Sequence, residues 1–320
     1  MRSRRLACLA LLWQRCLAAF RHVPAFPTRG NFHERYLRDG VVFFRFDAHL
    51  ASFTADVLRR VDAYLHPKLA RPWWMKAVPG DAELGDGRPL SDPNASDYTG
   101  GSPGRRAFRT HHTLAPADDT VQGPHQEQNL GLRVALLFYC QRPARRGGET
   151  AFFDMQKAWE LLPRDLQLQL RTSSWRLPGM TDFPCAVRHP RTGRPCLLLY
   201  CFGLMARYCV DAYRDLTGKR HVKEDPYSYG ISREAEPGVV DESGAVRPFV
   251  GSELRRLLKV VYSCMVPHAW TAGDALVVDN LRWAHARLDG AGAARRVHFA
   301  WYGFRNATYD PSSLRRPVVR

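Results

Sequence analysis

The sequence predicts a mainly β protein, a barrel or jelly roll with helical additions. Two observations carry that reading. Beyond residue 123, apolar runs of strand length recur between turn residues, and only a few segments show helical spacing, enough to cover a sheet but not to alternate with every strand. A third observation simplifies it: the 320 residues contain no internal repeat and no low-complexity tract, so one large domain is expected.

The first 33 residues contain no acid, several arginines and the apolar run "LACLALLW", which Gln14 and Arg15 interrupt. That run is too short to span a bilayer and makes a poor secretory core. Residues 1–30 are therefore expected to form a basic, amphipathic N-terminal extension, with an organellar transit peptide as the alternative and the cytoplasm as the default location. Residues 31–320 form the expected single domain.

In that domain "ERYLRDGVVFFRF" reads as a short helix leading through Gly40 into a strand. Leu50, Phe53, Val57, Leu58, Val61 and Leu65 then recur at helical spacing. Residues 76–123 are rich in Gly, Pro, Asp, Ser and Asn and show little periodicity, the composition of a loop that folds over a site. "RVALLFYC" is a continuous strand-length run and "ETAFFDM" follows a Gly-Gly turn. "DMQKAWELLPRDLQLQL" predicts a helix with Asp154 as its N-cap. "CAVRHPRTGRPCLLLYC" has two apolar arms around a turn, the shape of a hairpin. A polar insertion over about residues 213–247 precedes the helical "SELRRLLKVVYSCM", and "GDALVVDN" and "RRVHFAWYGF" close the domain as strands. The 76–123 loop and the 213–247 insertion are the candidate walls and lid of a substrate pocket.

Hydrophobic residues at 45% and charged residues at 24% exclude a disordered or fibrous chain. The net charge of +16 invites a nucleic-acid reading, but only six lysines contribute and the arginines are spread along the chain. A dispersed excess argues against a nucleic-acid partner, because binding to phosphates needs a patch or stripe. Oligomeric state has no signature here. None of the eight cysteines forms a C-x-x-C pair, and several sit inside apolar runs. They read as reduced, buried thiols.

The chemistry begins at "GPHQEQNL". Residues i and i+2 of an extended chain point to one face, so His125 and Glu127 can reach one ion. His285, where the apolar run of "GDALVVDNLRWAHAR" ends in a polar turn, supplies a remote third member. Two histidines and one carboxylate make the facial triad of non-haem Fe(II) oxygenases and leave three positions for a 2-oxo acid and dioxygen. The same set also suits zinc.

These segments together resemble the TauD/TfdA, or clavaminate-synthase-like, family of Fe(II)/2-oxoglutarate dioxygenases. "HQEQNLGLRVALLFYCQRPARRGGETAFFDMQKAWELL" is similar to the family's H-x-D/E, apolar strand, G-G-D/E-T and Asp before a helix. "VRHPRTGRPCLLL" resembles its H-P-x-T-G hairpin, and "AGDALVVDNLRWAHAR" followed by "RRVHFAWYG" resembles its C-terminal strand pair. The resemblance covers about residues 105–303, with gaps, in the family's order.

The resemblance implies a double-stranded β-helix (jelly roll) core, with Fe(II) on His125, Glu127 and His285 and with 2-oxoglutarate and O2 as co-substrates. It implies that Thr150 hydrogen-bonds a 2-oxoglutarate carboxylate and that Arg295 or Arg296 forms the charge pair; the family's R-x-[LV]-x-R pattern aligns on Arg295. Guanidinium binds carboxylate bidentately, which suits this role. The family's second arginine falls on Phe299 in this chain. Relatives that halogenate replace the carboxylate ligand with a small residue, so Glu127 implies hydroxylation, desaturation or cyclisation instead.

Other residues are weighed against this set. His111 and His112 are adjacent and diverge on extended chain, so substrate-loop or surface roles are expected; His189, His268 and His298 read as hairpin or strand residues. Asp279 competes with Glu127 for the carboxylate role. The expected function is oxidation of an unactivated carbon of a small molecule, amino-acid-like or a natural-product intermediate, free or carrier-tethered. Trp73, Trp74, Arg105 and Arg106 permit an anionic substrate. The alternatives are a zinc hydrolase on a similar β scaffold and a non-catalytic basic binding module of the same fold.

Overall fold

A computed structural model describes residues 29–45, 109–112, 117–127, 133–178, 180, 182–189, 192–224, 236–291 and 295–303. The expected N-terminal extension, the helix over 48–65, Trp73, Trp74, Arg105, Arg106 and most of 76–123 lie outside the described residues. No helix among the described residues is long and apolar enough to cross a membrane.

The chain is mainly β with helices added, as expected. Its two principal sheets use strands β1 (Val41–Arg45), β2 (Arg109–His112), β3 (Arg133–Arg142), β4 (Thr150–Asp154), β5 (Met265–His268), β6 (Asp274–Asp279), β7 (Trp283–Arg287) and β8 (Arg296–Gly303). The larger sheet runs β1–β6–β3–β8–β2 and the smaller β5–β4–β7, with every neighbouring pair antiparallel.

β3 shows why its run is apolar on both faces. Leu136, Phe138 and Cys140 enter a cluster with Phe152 of β4, Val266 of β5 and Trp283 of β7, which is the space between the two sheets. Ala135, Leu137 and Tyr139 belong to the cluster that packs against the helices. Alternation with both faces buried turns a half-polar strand pattern into a continuous apolar one. Each such Leu or Phe stabilises the fold by about 1.5–3 kcal/mol.

The helices are α1 (Arg29–Asp39), α2 (Met155–Leu161), α3 (Arg164–Leu170), α4 (Leu204–Thr217) and α5 (Gly251–Ser263). α1 passes through Gly40 into β1, as its sequence predicts. Asp154 caps α2: its Oδ1 accepts the N–H groups of Gln156 and Lys157, both at 3.1 Å. The predicted single helix after Asp154 is two, α2 and α3, because Pro163 lacks an N–H and interrupts the ladder. α5 buries Leu254, Leu257, Leu258 and Val261 along one face, and the predicted hairpin forms between residues 186–188 and 195–197.

Two loop expectations are corrected. Within 76–123, residues 109–112 form β2 against β8, residues 117–118 pair with 290–291, and residues 120–121 pair in parallel with 223–224. These segments are too short to show a periodicity of their own; neighbouring backbone supplies their order. The 213–247 insertion begins inside α4, where Tyr213 is buried, and includes an antiparallel pair, 238–240 with 246–248.

Candidate metal centre

The segment entering the site passes very close to its neighbour. A Cβ on Gly123 would lie 2.1 Å from the Cys201 carbonyl oxygen, so only glycine permits this approach. The Gly123 carbonyl accepts the Nδ1–H of His125 at 2.9 Å, which leaves the Nε2 lone pair of a neutral imidazole for a ligand. His125 and His285 exchange backbone hydrogen bonds at 3.0 and 2.8 Å.

The two residues that follow are held by side-chain amides. Gln126 points away from the site and is buried; it donates to the carbonyls of Leu197 and Leu281 and accepts the N–H of Leu199. Asn280 holds Glu127: its Oδ1 accepts the Glu127 N–H at 2.9 Å, and its Nδ2 donates to the Glu127 carbonyl at 3.0 Å.

His125, Glu127 and His285 converge, with one ligand atom from each lying within 4.8 Å of the others. Glu127 Oε1 is 3.9 Å from His125 Nε2 and 3.7 Å from His285 Nε2. Metal–ligand bonds of about 2.0–2.2 Å place adjacent ligands of one ion about 3.0–3.5 Å apart, so a contraction of a few tenths of an ångström between Glu127 and either imidazole brings them onto one divalent ion. Both imidazoles are buried and walled by aromatic rings: Phe202 lies edge-on to His125 at 4.8 Å between centroids, and Phe138 lies edge-on to His285 at 5.1 Å. Half-buried Tyr200 lies tilted against Phe202, with ring centroids 4.2 Å apart.

A second polar group lies on the same interior face. β7 pairs with β4 so that His285 opposes Phe152 and Arg287 opposes Thr150. Thr150 is therefore two residues, about 7 Å, along β4 from the level of His285. Arg295, buried, donates from Nε to the Gly148 carbonyl at 2.8 Å and from Nη2 to Thr150 Oγ1 at 3.2 Å. Trp270 Nε1 donates to the same oxygen at 2.9 Å. A hydroxyl that accepts two donors turns its own proton outward. Gly148 has φ +67°, and a Cβ there would stand 2.8 Å from the Ala144 Cβ and 3.2 Å from Arg295 Cδ. Glycine thus fits both the left-handed backbone and the arginine packed over it.

The other candidates fall elsewhere. Arg296 opens β8, opposite His112 on β2 and Arg142 on β3; its side chain lies outside the described residues. Asp279 is structural: Oδ2 binds His189 Nε2 at 2.9 Å and Oδ1 accepts the Leu281 N–H. His268 Nε2 faces Asp274 Oδ2 at 3.3 Å, and its ring is edge-on to Trp270. His111 pairs with Val297 across β2 and β8, and His298 pairs with Thr110 and Tyr139, so all three of His111, His112 and His298 are on strands. Sequence reasoning missed Gln126, Asn280 and Trp270. The signal for Gln126 is its place between two candidate ligands, where an intervening residue must face the protein; Asn280 and Trp270 carry none, since their partners are remote in the chain.

The family model for "Taurine catabolism dioxygenase TauD, TfdA family" matches residues 28–301. No curated protein matches the chain. Among solved structures, the chain is similar to the PvcB protein from Pseudomonas aeruginosa, with TM-score 0.56 and 16% identity over 91% of this chain and 85% of that one. It is also similar to a structure described as PvcB, an Fe, alpha-ketoglutarate dependent oxygenase from an isonitrile synthetic pathway, with TM-score 0.54 and 17% identity over 91% of this chain and 85% of that one. At these identities the likeness establishes the fold.

Proposed function

Because the chain belongs to the TauD, TfdA family of dioxygenases, which use iron and 2-oxoglutarate, we propose that His125, Glu127 and His285 hold Fe(II) and that the enzyme hydroxylates an unactivated carbon of a small molecule. The convergence of the three ligand atoms, with Arg295 and Thr150 on the same interior face, carries the reading. Two facing antiparallel sheets around one apolar interior support a double-stranded β-helix core. When bound, the iron supplies the oxidising chemistry, which couples conversion of 2-oxoglutarate and O2 into succinate and carbon dioxide to insertion of one oxygen atom into a C–H bond of the substrate.

The chain's own residues do the rest. His125 and His285 present neutral nitrogens, and Glu127 brings the charge that partly neutralises a dication. The carboxylate also fills the position that halogenation would need open, which favours hydroxylation. Arg295 and the outward Thr150 proton receive the distal carboxylate of 2-oxoglutarate in a water-poor interior, where a guanidinium–carboxylate pair is strong. Trp270 keeps Thr150 oriented by donating to its oxygen. A zinc hydrolase would have no use for this buried arginine and threonine. Phe202 and Tyr200, half-buried beside His125, offer the substrate an apolar wall. The 76–123 loop and the 213–247 insertion are the lid candidates, and the substrate is a small molecule, free or carrier-tethered.

The test is to add Fe(II) and then 2-oxoglutarate to the protein without oxygen. A weak visible charge-transfer band should appear, and exposure to air should release succinate. Absence of both would sink the reading.

A further inference from the structure

We propose that Asn280 is a positioning residue for the carboxylate ligand Glu127, and that it sets metal affinity without touching the metal. Segment 125–127 is not part of a continuous ladder. His125 is bridged to His285 and to Tyr200, and Gln126 N–H bonds the Leu199 carbonyl, but Glu127 has its N–H and carbonyl both bound by the one planar amide of Asn280. A single side chain thereby does for Glu127 what a neighbouring strand does for a residue in a sheet. Rotation of either peptide flanking Glu127 breaks one half of this clamp and swings the carboxylate off the two imidazoles.

The clamp stands on a fixed base. Asn280 sits in the turn from β6 to β7, where Arg282 N–H bonds the Asp279 carbonyl at 3.2 Å and Leu281 N–H bonds Asp279 Oδ1 at 3.0 Å. Asp279 is anchored in turn by His189 at Oδ2 and by its own N–H on the Gly40 carbonyl at 2.7 Å. The same turn leads into β7, which carries His285. Asn280 therefore ties the second ligand to the element that supplies the third. The residue type is dictated by chemistry: the clamp needs one donor and one acceptor in a plane, which an amide has and a carboxylate lacks.

This inference rests on the metal triad of the proposed function, and the experiment separates the two. Dissociation constants for Co(II), read from its visible absorption, and for Fe(II) without oxygen are measured on the full chain for wild type, Asn280→Ala, Glu127→Ala and the double variant. Residues that orient ligands typically change affinity about 10- to 100-fold. Asn280→Ala should weaken binding by that factor, and the same change on the Glu127→Ala background should add no further loss, since no carboxylate remains to position. Equal loss on both backgrounds, or none on either, overturns the positioning role while the triad stands. Wild-type protein that takes up neither metal overturns both readings. If Asn280→Ala does not fold, Asn280→Ser is read through the same cycle.

Discussion

His125 and His285, drawn from distant parts of the chain, face each other as an antiparallel pair and exchange two backbone hydrogen bonds of 3.0 and 2.8 Å. Their ring centroids lie 4.4 Å apart. Because main-chain groups make this link, it survives replacement of either side chain. His125→Ala and Glu127→Ala should each leave the far-ultraviolet circular dichroism of the fold intact while weakening the Fe(II)/2-oxoglutarate band and abolishing succinate release. A variant that kept turnover would remove its residue from the metal site.

Arg295 and Thr150 should report on the co-substrate and not on the metal. Hydrogen bonds to charged groups contribute about 1.5–3 kcal/mol, so Arg295→Gln should raise the KM for 2-oxoglutarate about 10- to 150-fold. Thr150→Val removes one hydrogen bond to the carboxylate but no charge, and should raise it less, about 2- to 10-fold. It also strips Arg295 and Trp270 of an acceptor, so its melting temperature should fall. Initial rates of succinate release check the first effect and thermal melts the second; unchanged KM in Arg295→Gln would reassign the carboxylate site.

Asp274 makes stability depend on acid. Burial pushes its carboxyl upward, but His268 Nε2 at 3.3 Å and hydrogen bonds from Arg45 and the Thr271 N–H outweigh burial, so its folded pKa lies below the ordinary value. The unfolded chain then binds the proton first. Stability from this group is present above the unfolded pKa of about 3.9 and is lost as pH falls through the lower folded value. Melting curves of wild type should drop below about pH 4, and Asp274→Asn should flatten that drop.

Asp154 has two tasks that can be separated. One oxygen caps α2, and the other binds Arg282 Nη2 at 2.9 Å. Asp154→Asn keeps an oxygen for the cap and loses the charge opposite a largely buried arginine. Asp154→Ala loses both and should cost about 0.5–2 kcal/mol more than Asp154→Asn in urea denaturation, the usual contribution of a cap. Equal cost would mean that the ion pair alone matters.

Much of the fold was legible because its signals are local. "RVALLFYC", "ETAFFDM" and "GDALVVDN" read as strands since both of their faces are buried, and Asp154 read as a cap since its partners are two and three residues away. The strands at 109–112, 117–118 and 120–121 were not legible, because two to four residues show no periodicity and take their conformation from neighbours remote in sequence. The eight cysteines read as buried thiols, and the six described ones are buried and outside any disulfide. Burial drives the Cys140 thiol up to about 12.

The sequence by itself determined the ligand types, the His-x-Glu spacing and the order of the family's motifs, because those depend on residue chemistry and on the two-residue period of an extended chain. Tertiary structure decided the rest. It brought His285 against His125, turned Arg295 inward onto Thr150 and Gly148, gave Asp279 to His189, and set Asn280 on the backbone of Glu127. Each of these contacts joins residues far apart in the chain. No local pattern encodes them, and they exist only when the sheets pack.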